Sequence, residues 1–352
     1  MPVSSPIPAG SRQRPVRHGA ARVEDWFHDV RERWARRRGH VPTVVPYTGY
    51  GSTEWVRVFC RVLLSKPVRA DETSSRRRRR REQGIRGWRS FTSVPVGDVP
   101  VVIEIGGERI EVLADRGGVV DTKVPAKLQP GWNRVALRVE GSDEVEAPVW
   151  VVGPEVDFGI VSDIDDTVMV TALPRPLVAF WNTFVLDEHA RSPTPGMAVL
   201  YERLVRAHPG SPVIYLSTGA WNVAPTLTRF LSRNLYPAGP ILLTDWGPTH
   251  DRWFRSGRAH KTENLHRLAE EFPHMRWLLV GDDGQHDEEL YADFARKHPD
   301  QVAAIAIREL SVGEAVLAGG RTKAEEHNAG VPWVSASDGA TLADRLSDVD
   351  ML

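Results

Sequence analysis

The chain contains a single cysteine, Cys60, among its 352 residues. One thiol excludes an internal disulfide and is typical of proteins from a reducing compartment. The sequence also has no uninterrupted apolar run of about 18 residues, the length that a membrane-spanning helix needs. Its first residues have no apolar core of the length found in signal peptides. We therefore expect a cytoplasmic protein with at most peripheral contact to a membrane.

An excess of charge of either sign is absent as well. Lys and Arg number 45 against 46 Asp and Glu, which gives a formal net charge of -1. Net charge alone therefore indicates no class of partner. The exception is local, because Arg76–Arg81 is an unbroken run of arginines. Two interpretations stay open: a solvated loop extension, or a patch for anionic lipid, to which each arginine contributes about 1 kcal/mol. We do not expect nucleic acid as a partner, because aromatic residues do not interleave with the run beyond Trp88.

The first part of the chain divides by composition into three segments. Residues 1–20 are rich in Pro, Ser and Arg and are predicted to be disordered. Residues 21–40 have apolar side chains at helical spacing, which predicts a helix with Gly39 as its stop. Residues 41–153 read as short strands separated by turn residues, and this pattern predicts an antiparallel β-sandwich-like accessory domain.

Two stretches carry the strand prediction most clearly. In "WVRVFCRVLL" the residues Val56, Val58 and Cys60 alternate with residues on the opposite face. In "VVIEIGGERIEVLAD" the pair Gly106-Gly107 separates two alternating arms, which predicts a β-hairpin.

Residues 154–352 follow a different pattern. Continuous apolar strands alternate with helical stretches, which is typical of an α/β domain whose parallel sheet carries helices on both faces. Three of the predicted strands are Phe158–Ser162, Pro212–Leu216 and Trp277–Val280. In such a sheet, ligands bind beyond the carboxyl ends of the strands.

Polar residues follow each of these three strands, and a lysine is predicted to begin a helix between the last two. Because the carboxyl ends of parallel strands meet at one edge, we expect these side chains to converge there. They are Asp163, Asp165, Asp166 and Thr167 after the first strand, Ser217, Thr218 and Gly219 after the second, Lys261 at the helix, and Asp282, Asp283 and Asp287 after the third.

Crowded carboxylates repel one another unless a cation neutralises them, and hard oxygen ligands select Mg²⁺. Asp163 and Asp165 are alternate residues, so the chain must curl at the end of the strand to bring both into one pocket. One carboxylate could then attack phosphorus to form an aspartyl-phosphate while the other acts as acid and base. Ser217 and Lys261 would hold the transferring phosphoryl oxygens.

These motifs, in this order, resemble those of the haloacid dehalogenase superfamily of phosphotransferases. More closely, "SDIDDTV", "YLSTGAWN", "HK" and "GDDGQHDEELY" resemble the actin-patch type of phosphatidate phosphatase and its bacterial relatives, over roughly Tyr47 to Arg308. The resemblance implies a haloacid dehalogenase-like, Rossmann-like phosphatase domain. It implies Mg²⁺ as cofactor and hydrolysis of phosphatidate to diacylglycerol and phosphate.

The resemblance also implies a role for each position. Asp163 would be the nucleophile and a metal ligand, and Asp165 the general acid and base with its backbone carbonyl on the metal. Where eukaryotic relatives carry an SxSPW-like stretch, this chain has Ser217-Thr218-Gly219-Ala220-Trp221. The remaining implied roles are hydrogen-bonding support of the loop by Thr167, phosphate binding by Ser217, Thr218, Gly219 and Lys261, and metal binding by Asp282 with Asp283 or Asp287.

Alternatives remain open at this stage. The substrate could be a soluble or protein phosphomonoester, or the chain could be a lipid-binding adaptor with a vestigial catalytic domain. The apolar stretch Leu177–Val185 could be a core-facing helix, a small cap, or a wall that receives acyl chains. His189, His260 and His286 have no metal-ligand spacing, and we assign them no role.

Overall fold

A computed structural model describes residues 30, 32–66, 94–170, 192–244, 250–284, 286–317 and 330–352. The predicted disordered segment 1–20, most of the first half of the predicted helix 21–40, the arginine run Arg76–Arg81 and the stretch Leu177–Val185 lie outside the described residues. The chain divides into two compact units, Met1–Val151 and Val152–Leu352.

The first unit contains one seven-stranded sheet, formed by β1 (Val41–Ser52), β2 (Trp55–Ser65), β3 (Pro100–Ile105), β4 (Glu108–Leu113), β5 (Val119–Pro125), β6 (Gly131–Val139) and β7 (Val145–Val152). The order of the strands in the sheet is β4-β3-β6-β7-β1-β2-β5. The pairs β1–β2, β2–β5, β3–β4, β3–β6 and β6–β7 are antiparallel. The strands form one hydrogen-bonded sheet because β1 and β7 lie side by side, and the end strands β4 and β5 also contact each other.

The alternating pattern predicted for this unit is confirmed in the core. Val56, Val58 and Cys60 are fully buried members of its hydrophobic cluster, and burial of a valine side chain contributes about 1.5–3 kcal/mol. The predicted hairpin is β3–β4, and its turn residues Gly106 and Gly107 have φ of 58° and 84°. Only glycine adopts such angles without steric cost, so these two residues set the register of the hairpin.

The second unit is built on a six-stranded sheet, and the strand pairs within it are all parallel. Its strands are β8 (Phe158–Asp163), β11 (Val213–Ala220), β12 (Ile241–Thr244), β13 (Arg276–Asp282), β14 (Val302–Arg308) and β15 (Trp333–Ala336). A two-stranded sheet pairs β9 (Met169–Val170) with β10 (Ser192–Pro193). The helices are α1 (Met197–Ala207), α2 (Ala224–Arg233), α3 (His250–Glu271), α4 (Asp287–Lys297), α5 (Val312–Leu317) and α6 (Gly339–Ser347).

The order of the large sheet is β12-β11-β8-β13-β14-β15. Counted along the chain, this is 3-2-1-4-5-6, so the direction in which strands are added reverses between β8 and β13. In an open α/β sheet the ligand crevice opens at this reversal, outside the carboxyl ends of the two central strands. Every residue of β8 and β14 is buried, as expected for parallel strands covered on both faces.

Two predicted boundaries differ from the observed ones. The strand predicted to end at Leu216 extends to Ala220, because Ala220 still pairs with Thr244 of β12. Lys261 was predicted to begin a helix, but it lies in the middle of α3, which spans His250–Glu271. The first turns of α3 are too polar to show an apolar period, yet they contain no proline that would end a helix. Among the described helices, none has the length and apolar content of a membrane-spanning segment.

Candidate active site

Three buried aspartates meet at the reversal point of the sheet. Asp163 is the last residue of β8, Asp282 is the last residue of β13, and Asp287 is the first residue of α4. Their exposed fractions are 1%, 0% and 1%. One carboxylate oxygen from each lies within 4.8 Å of the other two. The folded chain therefore places three acids from two central strands and a helix start in one dry cluster.

One lysine lies against this cluster. Lys261 Nζ is 2.6 Å from Asp163 Oδ1 and 2.6 Å from Asp287 Oδ1, and the side chain is 3% exposed. Burial lowers the pKa of Lys261, but the charges of Asp163, Asp287 and Asp282 outweigh burial and hold the pKa above its usual range. Lys261 is therefore a permanently charged ammonium that supplies a single positive charge to three carboxyl groups.

Two of the three carboxyl groups, Asp163 and Asp282, have shifted pKa values. Burial, followed by the charges of neighbouring aspartates, raises the pKa of Asp163 and of Asp282 well above the usual range, and Lys261 opposes this shift. Within the described part of the chain, Asp163 Oδ2, Asp282 Oδ2 and Asp287 Oδ2 are buried and accept no hydrogen bond. Buried carboxylate oxygens of this kind are costly unless a cation binds them. The donor set is all oxygen, and it fits a hard divalent cation such as Mg²⁺.

Asp165 is directed to a different neighbour. Ser217 Oγ of β11 donates to Asp165 Oδ2 at 3.1 Å, and Gly219 N donates to Ser217 Oγ at 3.1 Å. The chain curls directly after β8, where Val168 N donates to Ile164 O. Because of this curl, the alternate residues Asp163 and Asp165 are both buried near the same end of the sheet, one beside Lys261 and the other beside Ser217.

The other predicted site residues are placed less centrally. Thr167 is fully buried, but its Oγ1 has no hydrogen-bond partner among the described residues. Thr218 O and Gly219 O both accept from Thr244 Oγ1 at 3.2 Å. Asp283 Oδ1 accepts a hydrogen bond from Leu310 N at 2.9 Å. Of the two residues left open as helpers of Asp282, Asp287 belongs to the three-carboxylate cluster, whereas Asp283 ties down a neighbouring loop.

Three residues around the site were missed by sequence reasoning. Tyr201 OH lies 2.5 Å from the hydroxyl of Ser162, the residue before Asp163. Glu288 has its pKa raised to about 7 by burial and then by the charges of Asp283 and Asp287. Arg308, at the end of β14, is 4% exposed. Only Arg308 left a signal in the sequence, since an arginine directly after the apolar run "VAAIAI" predicts a buried charge that needs partners.

Comparison with known proteins places this site in a recognised segment. Residues 158–309 match the family "Phosphatidate phosphatase APP1, catalytic domain". The chain is 30% identical over 155 residues to phosphatidate phosphatase APP1 of Saccharomyces cerevisiae, covering 43% of this chain and 26% of that protein. It is 25% identical over 180 residues to an uncharacterized protein of Schizosaccharomyces pombe, covering 50% and 29% respectively. The chain thus spans between 26% and 29% of the curated relatives it matches.

Among solved structures, a carbohydrate acetylesterase from Xanthomonas citri is 12% identical, with a TM-score of 0.28 over 79% of this chain and 73% of that one. That likeness assigns no fold. The sequence matches are informative in a different way, because the family segment runs from the start of β8 to just beyond the end of β14 and contains every candidate residue described above. Residues 158–309 are therefore similar to the catalytic domain of the APP1 family of phosphatidate phosphatases.

Proposed function

We propose that the second unit is the catalytic domain of a Mg²⁺-dependent phosphatidate phosphatase, which releases phosphate from phosphatidate and leaves diacylglycerol. The observation that carries this proposal is the buried cluster of Asp163, Asp282 and Asp287 with Lys261 against it, inside a segment that matches a phosphatidate phosphatase family. The parallel sheet, with the first acidic motif at the end of its central strand β8, supports a haloacid dehalogenase-like fold.

Asp163, Asp282 and Asp287 would hold the metal, together with the backbone carbonyl of Asp165. When bound, Mg²⁺ supplies positive charge that offsets the three carboxylates and the phosphoryl oxygens. The support for this assignment is the set of buried, unpaired carboxylate oxygens among the described residues. The three aspartates lie at two strand ends and one helix start. Such rigid elements hold ligand atoms in a fixed geometry better than a loop does.

Phosphoryl transfer needs a nucleophile, positioned charge and a proton donor. In the proposed reaction, a carboxylate oxygen of Asp163 attacks phosphorus, and the bond between phosphorus and the ester oxygen breaks. The departing alkoxide takes a proton from Asp165, which gives an alcohol and an aspartyl-phosphate. Asp165 then accepts a proton from water as that water attacks phosphorus, so phosphate leaves and Asp163 is restored.

The remaining charged and polar groups have supporting roles. Lys261, at 2.6 Å from Asp163 Oδ1, offsets the charge of the nucleophile and of the phosphoryl oxygens as they approach. Ser217, with the backbone N–H groups of Thr218 and Gly219, would bind the phosphoryl group. The Ser217 hydroxyl also donates to Asp165 Oδ2, and this hydrogen bond would orient the acid.

Phosphate release from phosphatidate in liposomes, measured with Mg²⁺ and with EDTA, tests the proposal. We expect activity only with the metal, and loss of about 100-fold or more in Asp163→Asn and Asp165→Asn, the range that acid–base catalysis contributes. Asp300→Asn is the matched control, because Asp300 is exposed on the same unit. If both site variants retain full activity while remaining folded, the assignment of the reaction to this cluster is wrong.

The choice of phosphatidate as the ester is supported by the sequence matches to phosphatidate phosphatases. Comparing phosphatidate with soluble phosphomonoesters and phosphopeptides separates the substrates. A lipid-binding adaptor with a vestigial site is disfavoured by the complete acidic set.

We also propose a cytoplasmic location with peripheral contact to anionic membrane through Arg76–Arg81. The run of arginines in the sequence supports this contact, and it lies outside the described residues. Liposome binding by the variant with all six arginines replaced by glutamine tests that contact.

A further inference from the structure

Arg308 is a buried charge at the edge of the site that the proposed reaction does not use. It is the last residue of β14, is 4% exposed, and pairs in register with Asp282 of β13. Its Nη1 donates to the backbone oxygen of Asp166 at 2.7 Å, and its Nη2 donates to Glu314 Oε1 at 2.7 Å. The guanidinium therefore joins two distant segments, one of which directly follows Asp165.

The segment held by Nη1 is a tight turn. Asp166 has φ of 61°, a left-handed conformation that a residue with a side chain rarely adopts. On its other side, Asp166 N donates to Met169 O at 2.8 Å. Asp166 is thus fixed on both sides, through its own N–H and through its own carbonyl oxygen. Because Asp165 directly precedes Asp166, the direction of its carboxyl group depends on this turn.

The segment held by Nη2 is the start of α5, which acts as a support. Ser311 N donates to Glu314 Oε2 at 2.8 Å, and Glu314 N donates to Ser311 Oγ at 3.3 Å, which is the reciprocal pattern of a capping box. Burial raises the pKa of Glu314, but hydrogen bonds from Arg308 and Ser311 outweigh burial and lower it. Glu314 is therefore a fixed carboxylate, and the guanidinium lies between two fixed acceptors.

We propose that Arg308 is a positioning residue for phosphoryl transfer, and that it acts by holding the turn that directs the Asp165 carboxyl toward the leaving oxygen. This inference rests on the proposed function of the site. Arg308 does not touch the reacting atoms; it acts through the Asp166 carbonyl. A guanidinium suits the task because its planar fork reaches two acceptors at once, whereas a lysine ammonium in its place reaches one.

The proposal has a kinetic consequence that a general loss of stability would not produce. An alkyl ester such as phosphatidate or glycerol phosphate releases a basic alkoxide, so its first step depends on the acid Asp165. An aryl ester such as p-nitrophenyl phosphate releases a stable anion and needs little proton donation. The value of kcat/KM covers only the steps up to departure of the leaving group. A misdirected Asp165 therefore lowers kcat/KM for alkyl esters and largely spares aryl esters.

The experiment compares kcat/KM for glycerol phosphate or phosphatidate with that for p-nitrophenyl phosphate in the full chain with Mg²⁺. The variants are Arg308→Lys and Glu314→Gln, the second of which keeps the capping box because glutamine also serves at that position. The matched control is Arg206→Lys, since Arg206 is exposed in an ion pair within α1. We expect Arg308→Lys to lower the alkyl value by about tenfold or more and the aryl value by less than about threefold, with a smaller change of the same kind in Glu314→Gln.

The outcomes separate the two proposals. If the wild-type chain hydrolyses no phosphomonoester, the proposed function fails. If the wild type is active and Arg308→Lys lowers both values equally, or neither, while the thermal transition shows a folded protein, the positioning role is overturned. Should Arg308→Lys fail to fold, Glu314→Gln decides: an unchanged alkyl-to-aryl ratio in that variant contradicts the proposal, and a lowered ratio supports it.

Discussion

The Lys261 ammonium and the Asp163 carboxylate form a buried ion pair, with Nζ 2.6 Å from Oδ1. The same ammonium lies 2.6 Å from Asp287 Oδ1, so one cation is shared by two acids. Burial raises the pKa of Asp163, and the Lys261 charge opposes that shift and so favours the ionised form of the proposed nucleophile. Removing the charge of Lys261 should lower the free energy of unfolding, whereas removing the charge of a surrounding acid should raise it in the absence of metal.

Replacing Lys261 with methionine should destabilise the protein strongly. The variant removes the only positive charge that contacts Asp163 and Asp287 among the described side chains, and loss of one partner of a buried pair costs about 3–5 kcal/mol. Urea unfolding in EDTA measures the change in the free energy of unfolding. Excess Mg²⁺ should recover part of it. A Lys261→Met protein as stable as wild type in EDTA would contradict the ion-pair account.

Replacing Asp282 with asparagine should stabilise the protein in the absence of metal. The charges of Asp287 and Asp163 add to burial in raising the pKa of Asp282, so the ionised group is under strain. Asparagine keeps an oxygen that can accept from Gly284 N, the bond that Asp282 Oδ1 now accepts at 2.7 Å. We expect Asp282→Asn to be more stable than wild type in EDTA, by about 1 kcal/mol, because the amide has no charge to desolvate in the buried cluster.

Saturating Mg²⁺ should make wild type more stable than Asp282→Asn. A ligand at 100 times its dissociation constant stabilises the protein that binds it by about 2.7 kcal/mol. Wild type should therefore gain more from saturating Mg²⁺ than Asp282→Asn does, while activity is lost in the variant. The same unfolding curves recorded with Mg²⁺ provide the check, and equal gains in the two proteins would argue against Asp282 as a ligand.

A methyl group at position 281 should disrupt the geometry of the three-aspartate cluster without removing any of its charges. A Cβ built on Gly281 would lie 2.7 Å from Asp287 Oδ2 and 2.7 Å from Tyr291 Cε2, well inside contact distance. We expect Gly281→Ala to displace the Asp287 carboxylate and to lower both activity and Mg²⁺ affinity, measured by titration calorimetry. Gly313→Ala is the matched control, since a Cβ there meets no atom within 4 Å. Unchanged Mg²⁺ binding in Gly281→Ala would show that Asp287 does not contribute.

His260, the neighbour of Lys261, should make the stability of the protein depend on pH. Burial, with smaller contributions from Arg267 and Lys261, lowers the pKa of His260 to about 4. One ring nitrogen lies 3.4 Å from Leu242 O, and Asn264 Nδ2 lies 3.2 Å from either ring nitrogen. A neutral ring can donate to Leu242 and accept from Asn264, whereas a protonated ring has no acceptor to offer Asn264.

The direction of this pH dependence follows from the difference in proton binding between the folded and the unfolded chain. The folded pKa lies below the ordinary value of about 6.5, so between about pH 6.5 and pH 4 the unfolded chain binds more protons and stability falls as pH falls. At pH 5 we expect His260 to cost about 1–2 kcal/mol relative to pH 7.5, a value reduced because the ring is half-buried. Urea unfolding of wild type and His260→Gln at both pH values measures this. Equal pH dependence in the two proteins would refute it.

The parts of this site that the sequence predicted were those with a local signal. Asp163 and Asp282 directly follow apolar strands, so strand prediction alone located them at one edge of a parallel sheet. Lys261 was singled out correctly as a residue, but its place in α3 was not, because the early turns of that helix have no apolar period. The alternation in β2 and the Gly106-Gly107 turn were equally local and equally predictable.

Contacts between remote segments could not be predicted in the same way. Arg308 and Asp166 are 142 positions apart, and no periodic pattern relates a guanidinium to a particular backbone oxygen. The pairing of β1 with β7, which joins the first unit into one sheet, is also a long-range choice. A side chain such as Tyr201 belongs to the apolar face of α1, and nothing in that face marks its hydroxyl as the partner of Ser162.

The pairing of β8 with β13 is what brings the two strand-borne aspartates together, although they are separated by more than a hundred positions along the chain. Neither strand alone carries enough acid to bind a cation. The ability to take up metal should therefore appear abruptly during folding, when the two central strands come into register, and disappear just as abruptly when they part. Cation uptake would then act as a reporter of the completed sheet, distinct from any signal of helix or strand content.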